Sequence, residues 1–222
     1  LSLTEERNVI NKISSTAEHA FALTMASIRN IIGANSHVQD GLWDYEKFIG
    51  RQIDGLTVGI IGYGRLGSLY GKYCKSFGSK ILAYDPYKEI SDPEIIQVEN
   101  INHIFVNSDV ISIHVHVTDK TIKMINKSSF KKMKSSVLIV NTSRGEVINE
   151  DHLVDFLSKN KNSKVATDVL YDEINNRTSS SLLNYSKNSN QVIITPHIGG
   201  MTKEAQEIAY NHATVILKDF IK

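Results

Sequence analysis

The stretch "TVGIIGYGRLG", residues 57–67, limits the possible folds more than any other part of the chain. An apolar run without period-2 alternation reads as a strand buried on both faces, and it leads directly into G-x-G-x-x-G at 62–67. The residues that follow, 65–77, have helical spacing. Strand, glycine turn and helix in that order raise a weak motif to a specific one. Gly62 permits the tight turn, Gly64 lets a pyrophosphate approach the backbone, and Gly67 lets the helix lie close to the strand. The free N–H groups at the helix start, around Arg65 and Leu66, face the anion. A second strand, "KILAYD" (80–85), ends in Asp85, whose carboxylate can accept hydrogen bonds from ribose hydroxyls and would repel a 2′-phosphate. The expected cofactor is therefore NAD rather than NADP. The alternative is a glycine-rich turn that binds another nucleotide or nothing.

The remaining chain repeats the pattern. Further strands are expected at 110–115, 136–143, 164–170 and 191–195, making six, with helices at 65–77, 100–107, 127–133, 150–159 and about 202–221. Non-alternating strands separated by helices imply a doubly wound α/β domain, a parallel sheet covered on both faces. Before the glycine turn, "SSTAEHAFALTMASIRNII" (14–32) predicts one helix with Ser14 and Ser15 as caps. Its band of Ala20, Leu23, Ile28 and Ile31 is wide enough for burial on two sides. A polar loop with Gly41, Trp43 and Gly50 follows it. The polar stretch 175–190 reads as a surface excursion.

Composition excludes several classes of function. With a net charge of +1 in 222 residues, nothing points to nucleic acid or an anionic membrane, and the basic run at 130–134 reads as a solvated helix end. No apolar stretch approaches the ~18 residues of a membrane span, and residues 1–20 lack a signal-peptide pattern. The single cysteine, Cys74, reads as a small buried residue, in keeping with a reducing, cytoplasmic location. The start at Leu1 reads as a piece of something longer or a trimmed product.

In an open α/β sheet, ligands bind beyond the carboxyl ends of the strands. Arg144 follows the fourth strand, Asp168 lies in the fifth with Glu173 shortly beyond, and His197 in "TPHIGG" (195–200) follows the sixth. A hydride-transfer site for a hydroxy acid needs a base for the hydroxyl proton, a cation for the carboxylate and developing carbonyl, and a carboxylate that favours the protonated base. His197, Arg144 and Glu173 supply these groups. Taken singly, each also reads as a turn, cap or loop residue.

Taken together, "GYGRLG" with Asp85, "NTSRGEVINEDHL" (141–153), "ATDVLYDE" (166–173) and "TPHIGG" resemble, in order and spacing, the NAD-binding domain of the D-isomer-specific 2-hydroxyacid dehydrogenases. "STAEH" and "SDVISIH" extend the likeness from about Ser14 to the last helix. The resemblance implies that Arg144 binds the substrate carboxylate and carbonyl oxygen, that Glu173 pairs with His197, and that His197 is the acid/base. It further implies that Asp168 contacts the nicotinamide carboxamide and that His114, Val115 and His116 border the cofactor. Thr142, Ser143, Gly199 and Gly200 complete the expected cofactor-binding set. The sequence departs from the family at His116, where proline is usual, at Leu170, where phenylalanine is common, and at Ile174, where proline normally follows the glutamate. These changes bear on the cofactor-side loop and on how rigidly Glu173 is held. His19, His37, His103, His152 and His212 are expected to be structural or solvated, and no metal site is expected.

The resemblance also implies a two-domain clamp. Residues 14–222 would be the dinucleotide-binding domain and residues 1–13 a hinge or remnant of the substrate domain, most of which the chain lacks. The expected partner is a small 2-hydroxy or 2-oxo acid, with 3-phosphoglycerate foremost and glycerate and lactate sharing the same visible residues. A homodimer through the 14–32 helix and the Trp43 loop is expected. Two other classes fit the same residues: an NAD(H)-responsive corepressor-like binding protein and a truncated, non-catalytic paralogue.

Overall fold

Seven short strands, all paired in parallel, form one sheet in the computed structural model, which describes residues 7–221. In chain order they are β1 (Thr57–Ile61), β2 (Lys80–Tyr84), β3 (Ile95–Gln97), β4 (Val110–Ile113), β5 (Leu138–Asn141), β6 (Lys164–Thr167) and β7 (Val192–Ile194). Their spatial order is β3-β2-β1-β4-β5-β6-β7. The order reverses between β1 and β4, the switch point at which doubly wound sheets open a crevice for a ligand. Because every pair is parallel, the strand ends that carry the glycine turn, His114, Thr142, Asp168 and the 195–200 turn all emerge at one edge.

The helices are α1 (Arg7–Ile10), α2 (Ser15–Ile28), α3 (Ile31–Gln39), α4 (Arg65–Ser76), α5 (Ile101–Asn107), α6 (Lys127–Phe130), α7 (Glu150–Lys159), α8 (Glu173–Asn176), α9 (Ser181–Ser186) and α10 (Lys203–Ile221). Successive strand residues serve opposite cores, which is why the strands read as continuous apolar runs. Val58, Ile60, Leu138 and Val140 pack with Ala20 and Leu23 of α2 and Tyr70 and Cys74 of α4. Ile61, Ile111, Ile113 and Ile139 face the other way, onto Ile104 and Phe105 of α5, Phe130 of α6 and Leu153 and Leu157 of α7.

Several expectations are corrected. The sheet has seven strands, not six: the three residues of β3 were too few to register as a run, and the connection from β2, residues 85–94, contains no helix. The single helix over 14–32 breaks at Asn30, which adopts φ 57°. Its carboxamide is held by the Lys164 ammonium, which also donates to Ser27 O at 3.0 Å. Neither expected serine caps α2, since the Ser14 side chain makes no capping bond and instead donates to Glu18 Oε1 at 2.5 Å. The loop predicted after residue 32 contains α3, and Ile31, placed in the buried band, is 50% exposed. Finally, 175–190 is not wholly irregular, for α9 seals the second core with Leu182, and α6 stops three residues short of the expected end. The proposed hinge falls partly outside the described residues, at 1–6.

Residues 29–50 form an arm. Its base closes where Arg51 N donates to Ile28 O at 2.9 Å and Asn30 Nδ2 to Ile49 O at 3.1 Å. Beyond that base, Ile32, Val38, Leu42, Trp43 and Ile49 are exposed. Among the described residues no helix is long and apolar enough to cross a membrane.

Candidate cofactor and proton-transfer site

The first half of the site is the turn between β1 and α4. Gly62 adopts φ 90°, and its N–H donates to Tyr84 O at 2.9 Å. A Cβ on Gly67 would lie 2.1 Å from Gly62 O, so the helix start touches the turn and no larger residue fits there. A Cβ on Gly64 would meet nothing within 4 Å. This open side lies at the α4 N-terminus, where Gly64 is the N-cap and no side chain caps the first N–H groups. Open space beside unpaired N–H donors and a positive dipole end suits a diphosphate. Leu66 is half-buried against the α2–α4 core. The Arg65 side chain turns away from the open side to the Ile13 carbonyl, and burial lowers its pKa.

Asp85 stands at the end of β2 with both carboxylate oxygens bonded to backbone, Oδ2 to Tyr63 N at 2.9 Å and Oδ1 to Tyr87 N at 3.0 Å. An ionised carboxylate offers about four lone-pair positions, so each oxygen keeps acceptor capacity for a ribose hydroxyl. Across the switch point the His114 carbonyl would lie 2.7 Å from a Gly62 Cβ, and Val115 packs beside it. The His114 ring points inward, bonding Ser112 Oγ at 2.8 Å and lying 5.2 Å from the Tyr70 ring, and burial pushes its pKa down to about 4. His114 therefore borders the crevice with its backbone, and its side chain belongs to the interior. His116 is exposed, and its carbonyl accepts from Thr121 Oγ1 at 2.6 Å. The buried Thr142 hydroxyl has no partner among the described residues, whereas Ser143 Oγ donates to Asn141 Oδ1 at 2.7 Å.

The second half assembles over β5, β6 and β7. Arg144 is exposed, with Asn141 Nδ2 donating to its carbonyl at 2.9 Å. Gly145 lets this segment touch the next connection: a Cβ there would fall 2.0 Å from the Leu170 carbonyl carbon. Leu170 N in turn donates to Glu173 Oε2 at 3.0 Å, and Glu173 Oε1 bonds His197 Nδ1. The structure thus pairs Glu173 with His197 and brings the backbone next to Arg144, at Gly145, against the connection that holds Glu173, while the Arg144 guanidinium itself donates to Ser143 O at 2.6 Å. Glu173 is held by Leu170 N and His197 even though Ile174, which follows it, is 88% exposed.

Asp168 lies just past β6, not within a strand as expected. It is 1% exposed. Burial by itself would raise its pKa, but donation from Thr195 Oγ1 at 2.5 Å, Ile198 N at 2.9 Å and Gly199 N at 2.7 Å, with His19 Nε2 3.3 Å away, outweighs burial and lowers it. This carboxylate therefore anchors the 195–199 turn, in which His197 takes φ 56° and donates its N–H to Asp168 O at 2.8 Å. Gly200, beside Thr16 of α2, ends the turn. Sequence reasoning missed the parts of His19 and Thr195, which bond each other at 2.9 Å. "STAEH" contained the histidine, but no local signal connects it to a partner 176 positions away. Among the described residues no three His, Cys, Asp or Glu side chains gather as metal ligands.

A switch-point crevice floored by a glycine turn, with a carboxylate closing the second strand, defines a dinucleotide-binding domain of the Rossmann type. The chain belongs to the D-isomer-specific 2-hydroxyacid dehydrogenase family and carries its NAD-binding domain, with residues 21–199 matching that family description. It is 37% identical to D-3-phosphoglycerate dehydrogenase of Archaeoglobus fulgidus, covering 93% of this chain and 38% of that protein. It is also 37% identical to hydroxypyruvate reductase of Thermotoga maritima, covering 86% of this chain and 61% of that one. The solved structure of D-lactate dehydrogenase from Aquifex aeolicus, complexed with NAD and lactic acid, matches with a TM-score of 0.85 at 30% identity, over 93% of this chain and 66% of that chain. The chain spans less than two thirds of the length of each.

Proposed function

We propose that the chain is the cofactor-binding part of an NAD-dependent oxidoreductase of D-2-hydroxy acids, and that D-3-phosphoglycerate is its substrate. The observation that carries this reading is the Glu173–His197 pair beyond the carboxyl ends of β6 and β7, on the same edge of the sheet as the glycine turn. Bound NAD supplies the hydride acceptor for the substrate C2–H. His197 Nε2 takes the hydroxyl proton, since Nδ1 is engaged by Glu173, which fixes the tautomer and the orientation of the ring. The Arg144 guanidinium pairs with the substrate carboxylate and polarises the oxygen that becomes the carbonyl. The Thr142 hydroxyl and the free α4 N–H groups are the donors that would hold the dinucleotide, with Asp85 at its ribose. The three relatives described above are named for 3-phosphoglycerate, hydroxypyruvate and lactate, which supports the substrate class.

We also infer a homodimer, supported by the 29–50 arm: Trp43 is 82% and Ile49 80% exposed on an element whose base is firmly closed. The functional test is NADH production by the complete enzyme with D-3-phosphoglycerate, D-glycerate, D-lactate and L-lactate. Turnover is expected with D-isomers and greatest with phosphoglycerate. Preference for the L-isomer, or no NADH with any D-2-hydroxy acid, overturns the reading.

A further inference from the structure

Lys88 lies in the helix-free connection between β2 and β3, yet it is fixed at both ends. Its carbonyl accepts from Gln97 Nε2 at 2.8 Å, and the same carboxamide accepts Ile90 N at 2.8 Å, so the backbone of the loop is pinned to β3. Its ammonium donates to Tyr63 O at 3.1 Å and lies 5.5 Å from the centre of the Tyr63 ring. Tyr63 is the residue between the first two glycines of the turn, and its N–H is the group bonded to Asp85 Oδ2. A carboxylate and an ammonium thus grip opposite ends of one residue, which puts the two charges within about 10 Å of each other given standard backbone dimensions. Lys88 forms no ion pair among the described residues, whereas Lys75 is paired with Asp92 and Glu94.

We propose that Lys88 is a specificity-determining residue of the cofactor site: its ammonium is a counter-charge for a phosphate on the adenosine ribose, so the turn binds NADP(H) as well as NAD(H). This rests on the assignment of Gly62–Gly67 and Asp85 as the dinucleotide site. A ribose bonded to the remaining lone pairs of Asp85 lies at the Tyr63 turn, and a flexible four-carbon stem lets the ammonium reach a 2′-substituent there. Asp85 repels that phosphate and Lys88 attracts it, so discrimination is set by the pair rather than by the carboxylate alone. Lysine serves phosphate as a strongly hydrated point charge, and an exposed pair of this kind weakens with salt.

The test is fluorescence titration of NADH and NADPH against the wild-type chain, Lys88→Met, Lys88→Arg and Asp85→Ser, at low salt and at about 0.5 M salt. Lys88→Met keeps the apolar stem over Tyr63, which separates loss of charge from loss of packing. The wild type is expected to bind both cofactors, NADH more tightly. Lys88→Met is expected to weaken NADPH at least about tenfold and NADH less than about threefold, because a charge-assisted phosphate contact is lost in one case only. Lys88→Arg should keep NADPH binding, Asp85→Ser should strengthen it, and high salt should erase the wild-type advantage over Lys88→Met. Equal weakening of both cofactors by Lys88→Met makes Lys88 a prop for the turn and overturns the proposal, as does a wild type that binds NADH but not NADPH at millimolar concentration. Failure of the wild type to bind NADH overturns the assignment of the cofactor site itself, and this proposal with it.

Discussion

His197, the proposed acid/base, sits in an uncommon backbone position. At φ 56° it sits in the left-handed region, which histidine adopts more readily than most residues, and the Asp168 bonds to Ile198 N and Gly199 N fix the turn around it. Removing the ring leaves those bonds in place. His197→Ala in the complete enzyme is therefore expected to lower kcat by roughly 10²–10⁴, the share supplied by general acid–base catalysis, with the NADH Kd unchanged. Near-normal turnover would remove His197 from the mechanism. His114 shows the opposite use of a histidine. Burial lowers its pKa from 6.5 to about 4, so between those values the unfolded chain binds a proton that the folded chain refuses. Stability should fall as the pH drops through this window, by on the order of 2–3 kcal/mol from this residue. His114→Asn should flatten the pH dependence of urea unfolding between pH 7 and 4, relative to the parent. The same slope in both proteins would exclude His114 as a cause.

At the scale of elements, legibility followed the range of the forces involved. β1, β4 and β5 were readable because burial on both faces demands unbroken apolar runs, and the glycine turn was readable because backbone contact at Gly67 tolerates no side chain. β3 was not, since "IIQ" forms a strand only because the β2 edge offers it partners. Nor was the break at Asn30, where the capturing ammonium comes from Lys164, 134 positions away. Of the proposed site, Arg144, Glu173 and His197 are named through family likeness and the structure pairs the last two, while the inward turn of His114 and the His19–Thr195–Asp168 anchor depend on contacts that only the folded chain creates. Gly145 was quoted within a motif, yet its reason is tertiary. The β5 and β6 connections meet at its Cα, and a methyl group there would fall on the Leu170 backbone. Gly145→Ala is expected to cost about 1–3 kcal/mol in urea unfolding, as overpacking does, and to shift Arg144 relative to the Glu173–His197 pair. An unaltered unfolding midpoint would mean that the two connections are not in contact.

At the scale of the whole molecule, two exposed surfaces carry predictions, the apolar arm and the edge of the sheet that holds the proposed site. The arm bears the chain's one tryptophan, which makes association directly visible. Trp43 emission is expected to shift to shorter wavelength as concentration rises and a second copy covers the arm, in step with a dimer mass by light scattering. A monomer at tens of micromolar would reject the interface. The edge that holds the proposed site poses a different test, because the chain spans only part of the length of its relatives. The groups assigned to the dinucleotide all come from these 222 residues, from the glycine turn through Asp85 to Thr142. A polypeptide of this length alone is therefore expected to bind NADH, as fluorescence or calorimetry would record. Turnover is another matter. The chain spans 38% of the phosphoglycerate dehydrogenase and 61% of the hydroxypyruvate reductase it matches, and His197 and Arg144 stand exposed at its surface. Orientation of substrate against such groups can account for about 7–11 kcal/mol of a barrier, and an open edge can neither hold a substrate against Arg144 nor exclude water from His197. The same polypeptide should then show no measurable oxidation of D-3-phosphoglycerate while binding NADH normally. Robust turnover would show that Arg144, Glu173 and His197 form a self-sufficient site, and the absence of NADH binding would undo the assignment of the turn from Gly62 to Gly67.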